Sequence, residues 1–232
     1  MTEKGKKVLI LTDGKAGHEN QSKAFARALD CDYDLVEVHF RSAFHKALSY
    51  LLDRLGLHPA GLFTLARPVS ATDGYAAAIG TGSGTFYAAK TLARRLGVKC
   101  GVVLYPRGYR ISTFDCVLAP AFDRPAPAPN VVEIPANLVA NDAAFYANGT
   151  EAFLAQHPLP DPAAAKAVAV IVGGPNKCST MTADWMRAEL ARVFREHESD
   201  HPEFWVTTSR RTPPEVEAVV DSFPFDYKLL YS

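Results

Sequence analysis

The chain lacks a surplus of charge of either sign: 25 Lys and Arg stand against 25 Asp and Glu in 232 residues. A neutral balance excludes broad electrostatic attachment to nucleic acid, which draws its affinity from a cationic surface. No CxxC pair occurs among the four cysteines, Cys31, Cys100, Cys116 and Cys178, so neither a redox motif nor a zinc ribbon is indicated. They read as buried or incidental thiols of a reducing compartment, and the localisation expected is cytoplasmic. The basic N-terminus leads into an apolar run of at most five residues, Val8 to Thr12, too short for a signal peptide or a spanning helix. GxSxG and HExxH are absent too, which removes the nucleophile elbow and the commonest zinc-hydrolase site.

What is present is the grammar of an α/β protein. Val8-Leu9-Ile10-Leu11 reads as a strand buried on both faces, and Asn20 is placed to cap a helix with Ala24, Phe25, Ala28 and Leu29 on one side. Leu35 to Phe40 completes a βαβ opening. Ser42 to Leu57 is amphipathic, followed by a second apolar stretch to Leu65, and the pair reads as two helices packed on a sheet. The sharper reading of that region, flanked by Lys46, Arg54 and Arg67, is a peripheral contact with a membrane surface. Further strands are expected at Tyr75–Ile79, Gly101–Leu104, Cys116–Pro120 and Val131–Ile134, with helices ending at Gly97 and spanning Asp142 to Leu154. Prolines 158, 160 and 162 mark a linker at 157–165 between a first lobe at 1–156 and a second at 166–232. The second lobe alternates a buried strand at 167–172, a helix at 182–196, a strand at 204–207, a helix opening at Pro214 and a strand at 227–231.

Three strands empty into glycines: Gly14-Lys15-Ala16-Gly17, Gly80-Thr81-Gly82-Ser83-Gly84 and Gly173-Gly174-Pro175-Asn176-Lys177. Small residues let backbone N–H groups approach an anion, and a following helix N-terminus adds its dipole. Neither cofactor fingerprint is complete. The GxGxxG position after Gly80 and Gly82 is Thr85, no acid follows at the usual distance, and Gly14-Lys15 lacks P-loop spacing. Arg210 beside Ser209 suits a diphosphate, because guanidinium binds phosphate through two parallel bonds. His18 and Glu19 are the leading acid/base candidates, with Asp13 as rival base. His197 and His201 stand four apart without a third ligand, and no metal is expected.

These segments carry a resemblance. Asp13-Gly14-Lys15-Ala16-Gly17-His18-Glu19-Asn20-Gln21, Ile79-Gly80-Thr81-Gly82, Pro106-Arg107, Phe114-Asp115, Gly173-to-Lys177 and Thr207-to-Pro213 are similar, in order, to the plant mitochondrial fission protein and its bacterial homologues. Some of those homologues are labelled predicted nucleoside-diphosphate-sugar epimerases. The resemblance implies two Rossmann-like lobes with parallel sheets, in the GT-B manner of glycosyltransferases. The donor would be a nucleotide-sugar substrate, with no resident cofactor, and the acceptor is left open, a lipid-linked one among the candidates. Carried over residue by residue, Gly173, Gly174 and Lys177 would contact the donor diphosphate with Ser209 and Arg210 nearby. Gly14, Gly17, Gly80 and Gly82 would face the acceptor, and His18 or Glu19 would take the acceptor proton. Pro120-Ala121-Phe122-Asp123 departs from the family's Pro-x-His-Asp, so no histidine role transfers there. Family members continue past Ser232 with Asp-Ser and Glu-Ala motifs, so the second lobe is expected to be incomplete. The alternatives are a non-catalytic interaction protein related to organelle-fission factors, or an NAD-dependent sugar-nucleotide epimerase.

Overall fold

Val8 to Leu11 needs apolar cover on both faces, and it obtains that cover in the interior of a seven-stranded sheet. In the computed structural model, which describes residues 6–156, 158, 166–176 and 178–231, β1 (Lys7–Thr12) lies between two parallel partners. One is β2 (Asp32–Phe40), reached through α1 (Ala16–Ala28), and the other is β4 (Tyr75–Thr81). The two faces of β1 then belong to two cores. Leu9 and Leu11 pack with Val36, Val38 and the α3 residues Tyr87 and Leu92 (α3, Phe86–Leu96), whereas Val8 and Ile10 pack with Ala26 and Ile79.

The sheet continues from β4 to β5 (Lys99–Val103), β6 (Cys116–Pro120) and β7 (Val131–Ile134), all parallel. Its other edge is β3 (Phe63–Leu65), antiparallel to β2, giving the order β3-β2-β1-β4-β5-β6-β7. The chain therefore leaves β1 toward one edge and returns beyond it toward the other. That reversal opens a crevice at the carboxyl ends of β1 and β4, where open α/β sheets take ligands.

Two local expectations change. The stretch after α2 (Ala43–Arg54) is not a second helix but a 3-10 turn at Ala60–Leu62 running into β3. A short apolar run has no period to decide between helix and strand, and the free edge of β2 decides it here. Helix α1 starts four residues before Asn20, so Gly17, His18 and Glu19 form its first turn rather than a preceding loop. Ser42 caps α2, accepting from His45 N–H, and Gly97 ends α3 where expected, in the left-handed conformation at φ 68°.

The chain divides into two compact units, Met1–Tyr146 and Ala147–Ser232, with α4 (Ala143–Gln156) crossing the division. The second unit holds a parallel sheet ordered β10-β9-β8, from β8 (Ala167–Ile171), β9 (Glu203–Thr207) and β10 (Tyr227–Leu229). Its core joins Val206 and Phe204 to Met186 and Leu190 of α5 (Ala183–His197) and to Val216 and Val220 of α6 (Pro214–Ser222). Strand β8 was expected to be buried throughout, yet Ala167, Ala169 and Ile171 are exposed, Ile171 at 81%. Helices α5 and α6 pack on the face carrying Val168 and Val170. On the other face Phe153 of α4 meets Trp205 and Tyr227, with ring centroids 6.0 and 5.0 Å away. The 157–165 linker lies, except for Pro158, outside the described residues. No helix among the described residues is long and apolar enough to cross a membrane.

Candidate functional site

Asp13 is the first residue beyond β1, and the switch from strand to helix within three residues turns it toward the first turn of α1. Its Oδ1 lies 3.0 Å from His18 Nδ1, and its Oδ2 accepts from Lys15 Nζ at 2.6 Å. The Asp13 side chain is only 9% exposed. Burial pushes its carboxyl up, but the bonds from Lys15 and His18 outweigh that cost and hold it below the usual range. An ionised Asp13 therefore selects the imidazole tautomer with the proton on Nδ1, and Nε2 is left as the basic nitrogen. This is the geometry of a general base with an orienting carboxylate.

Glu19, the other base candidate, is otherwise engaged. Its Oε1 pairs with Lys23 Nζ at 2.6 Å, and its Oε2 accepts from Thr12 Oγ1 at 3.4 Å. One turn into α1, its charge also suits the helix N-terminus. Of the two, the geometry favours His18.

The second glycine cluster forms the surface on which this pair rests. Gly82 has φ +80°, and a methyl group there would come within 2.6 Å of His18 Nδ1, so the imidazole lies directly against its α-carbon. A methyl on Gly84 would come within 2.7 Å of Asp13 Oδ2. Gly80 lets α3 approach β4, since a Cβ there would stand 2.7 Å from Thr85 Oγ1. Gly14 adopts φ +75° and donates its N–H to Thr12 Oγ1 at 3.1 Å, while a Cβ on Gly17 would meet open space. Two neighbours had no signal in the motif reading. Lys46 of α2 donates to Ser83 Oγ at 3.0 Å, and Ser22 shares a 2.6 Å hydrogen bond with Thr81 that ties α1 to β4. Ser83 lies inside the glycine cluster and could have been found there; Lys46 comes from 37 residues away.

A second polar cluster in this unit is buried and structural. Asp53 accepts from Lys90 Nζ at 2.6 Å, from Arg110 N–H at 2.7 Å and from His58 Nε2 at 2.9 Å. Lys90 and Asp53 are 1% exposed, and the ammonium also lies 4.0 Å from the centre of the Phe114 ring. Its sequence signal is a lone lysine inside Phe86-Tyr87-Ala88-Ala89-Lys90-Thr91-Leu92-Ala93, a wholly buried helical stretch.

In the second unit, Gly173 and Gly174 follow β8 and are pressed against the 209–212 loop. Thr212 Oγ1 donates to Gly173 O at 2.7 Å and accepts from Ser209 N–H at 2.9 Å. A Cβ on Gly174 would overlap the Arg211 carbonyl oxygen and stand 2.5 Å from Arg211 Cβ. Gly173, Gly174, Ser209 and exposed Arg210 are thus brought together, while Lys177 lies outside the described residues. The helix expected at 182–196 runs from Ala183 to His197, capped by Thr182 Oγ1 accepting from Trp185 N–H. The described residues hold no group of three or more His, Cys, Asp or Glu side chains placed to share a metal ion.

Two solved structures overlap the chain at low identity. The Staphylococcus aureus MnaA–UDP structure gives 12% identity and a TM-score of 0.47, over 97% of this chain and 68% of that one. The Methanocaldococcus jannaschii UDP-GlcNAc 2-epimerase in complex with UDP-GlcNAc and UDP gives 9% and 0.38, over 96% and 72%. No curated protein matches the chain. Residues 16–225, from the first turn of α1 to Phe225 before β10, match the family described as Mitochondrial fission ELM1, and the chain belongs to that family.

Proposed function

We propose that the chain is a nucleotide-sugar-dependent, glycosyltransferase-like protein in which His18 is the base and Asp13 its orienting partner. The observation that carries this reading is the 3.0 Å contact between Asp13 and His18 at the strand-order reversal of the larger sheet. His18 Nε2 takes the proton of an acceptor hydroxyl as its oxygen attacks the anomeric carbon of the donor sugar. The bond from that carbon to the nucleoside diphosphate breaks, and the diphosphate leaves with the electron pair. Within the second unit, Arg210, the Ser209 hydroxyl and the backbone at Gly173 and Gly174 are groups suited by their chemistry to a nucleoside diphosphate.

The test is a UDP titration of the full chain followed by thermal unfolding. Ligand at a hundred times its dissociation constant raises stability by about 2.7 kcal/mol. Wild type and Arg210→Ala should separate, and no response of wild type to millimolar UDP, GDP or TDP refutes donor binding. The family's own description, mitochondrial fission, supports a second reading: an interaction protein that keeps the fold without turnover. His18→Ala distinguishes the two, because it abolishes transfer but leaves an interaction phenotype intact.

A further inference from the structure

Helix α2 turns a row of large apolar side chains to solvent. Phe44, Leu51 and Leu55 are 69%, 55% and 63% exposed, and their spacing of seven and four places them on one stripe. Leu57, just past the helix, extends it at 53%. A soluble surface tolerates such residues singly, whereas a continuous stripe marks a binding face. The exposed charges of the sequence on either side of it are of one sign. From Arg41 to Ser70 the sole acid is Asp53, which is buried and held by Lys90, while Arg41 and Arg54 are exposed. An apolar row bordered by guanidinium groups, with no exposed carboxylate in 30 residues, complements an anionic lipid surface.

We propose that this face of α2 docks on an anionic lipid bilayer. The same helix reaches the candidate site, since Lys46 donates to Ser83 between the two glycines that support His18 and Asp13. Lys46 stands on the face of α2 opposite the Phe44, Leu51 and Leu55 stripe, so the helix itself lies between the docked face and the candidate site. The docking stands on the surface alone and does not depend on the function proposed above.

The experiment is co-sedimentation of the full chain with vesicles of phosphatidylcholine, alone or with about a third phosphatidylglycerol, at physiological salt. Wild type is expected to partition onto the anionic vesicles and to leave the zwitterionic ones. Phe44→Ser/Leu51→Ser/Leu55→Ser should weaken partitioning at least tenfold with an unchanged melting temperature, because these side chains contribute little to the core. Arg41→Glu/Arg54→Glu should weaken it by about 25-fold or more, at about fivefold for each positive charge lost. This second variant keeps the test valid if the first misfolds. Failure of wild type to bind anionic vesicles, equal binding to neutral ones, or full binding by both variants overturns the proposal. A wild-type dimer that ignores vesicles and is dissolved by the serine variant assigns the face to a second copy, and also overturns it. UDP binding is scored on the same samples: its absence counts against the nucleotide-sugar reading and leaves the docking result untouched.

Discussion

Replacing Lys90 by Met removes one partner of a buried ion pair while keeping the length of its stem. At the 2.6 Å separation of Lys90 Nζ and Asp53 Oδ1, the attraction is about 6 kcal/mol at an effective dielectric near 20. Desolvating the two ions costs several kcal/mol each, so the intact pair is worth little net. Breaking it is different, because Asp53 then keeps its charge with its strongest partner gone. Burial pushes the Asp53 carboxyl up, and bonds from Lys90, Arg110 and His58 presently hold it down. Two of those three remain in the variant, which places the expected loss near the low end of the range for a broken buried pair, about 3 kcal/mol. With a urea slope of about 2 kcal/mol/M, that is a midpoint shift of about 1.5 M. The assay can be assigned to one unit, because both tryptophans, Trp185 and Trp205, belong to the second. Far-UV circular dichroism and tyrosine signals should show the loss and tryptophan fluorescence should not. Adding Asp53→Asn to Lys90→Met should recover more than half of it. A single-variant loss below about 1 kcal/mol, or a double variant worse than the single, refutes the argument.

Three other outcomes are expected. His58 is held neutral chiefly by burial, with Arg94 alongside, and its pKa lies below the ordinary 6.5. The unfolded chain therefore binds this proton first, and stability of the first unit should fall as pH drops below about 6.5, down to the folded pKa. Thermal melts from pH 7.5 to 5 check the slope, which His58→Gln should flatten. Gly82→Ala should cost about 1–2 kcal/mol through its positive φ and displace the imidazole, so that nitrogen NMR no longer finds the His18 proton fixed on Nδ1. Gly174→Ala, which forces a methyl into the Arg211 carbonyl, should cost about 3 kcal/mol or more and appear in tryptophan fluorescence.

Much of the framework was legible because its signals are local. Ser42 and Thr182 cap their helices, Gly97 stops α3 and Pro214 opens α6, each by chemistry contained within one turn. The start of α1 was not legible, because it carries no side-chain cap at Lys15 while Asn20 offered a false one. The exposed face of β8 was equally hidden, since Ala, Val and Ile on both sides of a strand say nothing about which side is covered. His18 and Asp13 could be singled out from their place after a strand. Their contact with each other, and with Gly82 and Gly84 from 60 and more residues away, depends on the strand order.

That dependence divides the glycines into two kinds, and the division makes the last prediction. Gly80, Gly82, Gly84 and Gly174 each have a neighbour that a Cβ would strike, so packing alone accounts for them. Gly17 and Gly173 meet nothing within 4 Å. Gly17 also lies in the first turn of α1, where alanine is the better helix former, so Gly17→Ala should raise stability by up to about 1 kcal/mol. Gly173→Ala should stay within about 0.5 kcal/mol of wild type. If bound phosphate or sugar needs the bare backbone there, the cost of each methyl appears in UDP or acceptor affinity and nowhere else. Parallel thermal melts with and without ligand read both quantities. A clear loss of stability in the ligand-free state would show that packing explains these two glycines as well, and would remove them from the site.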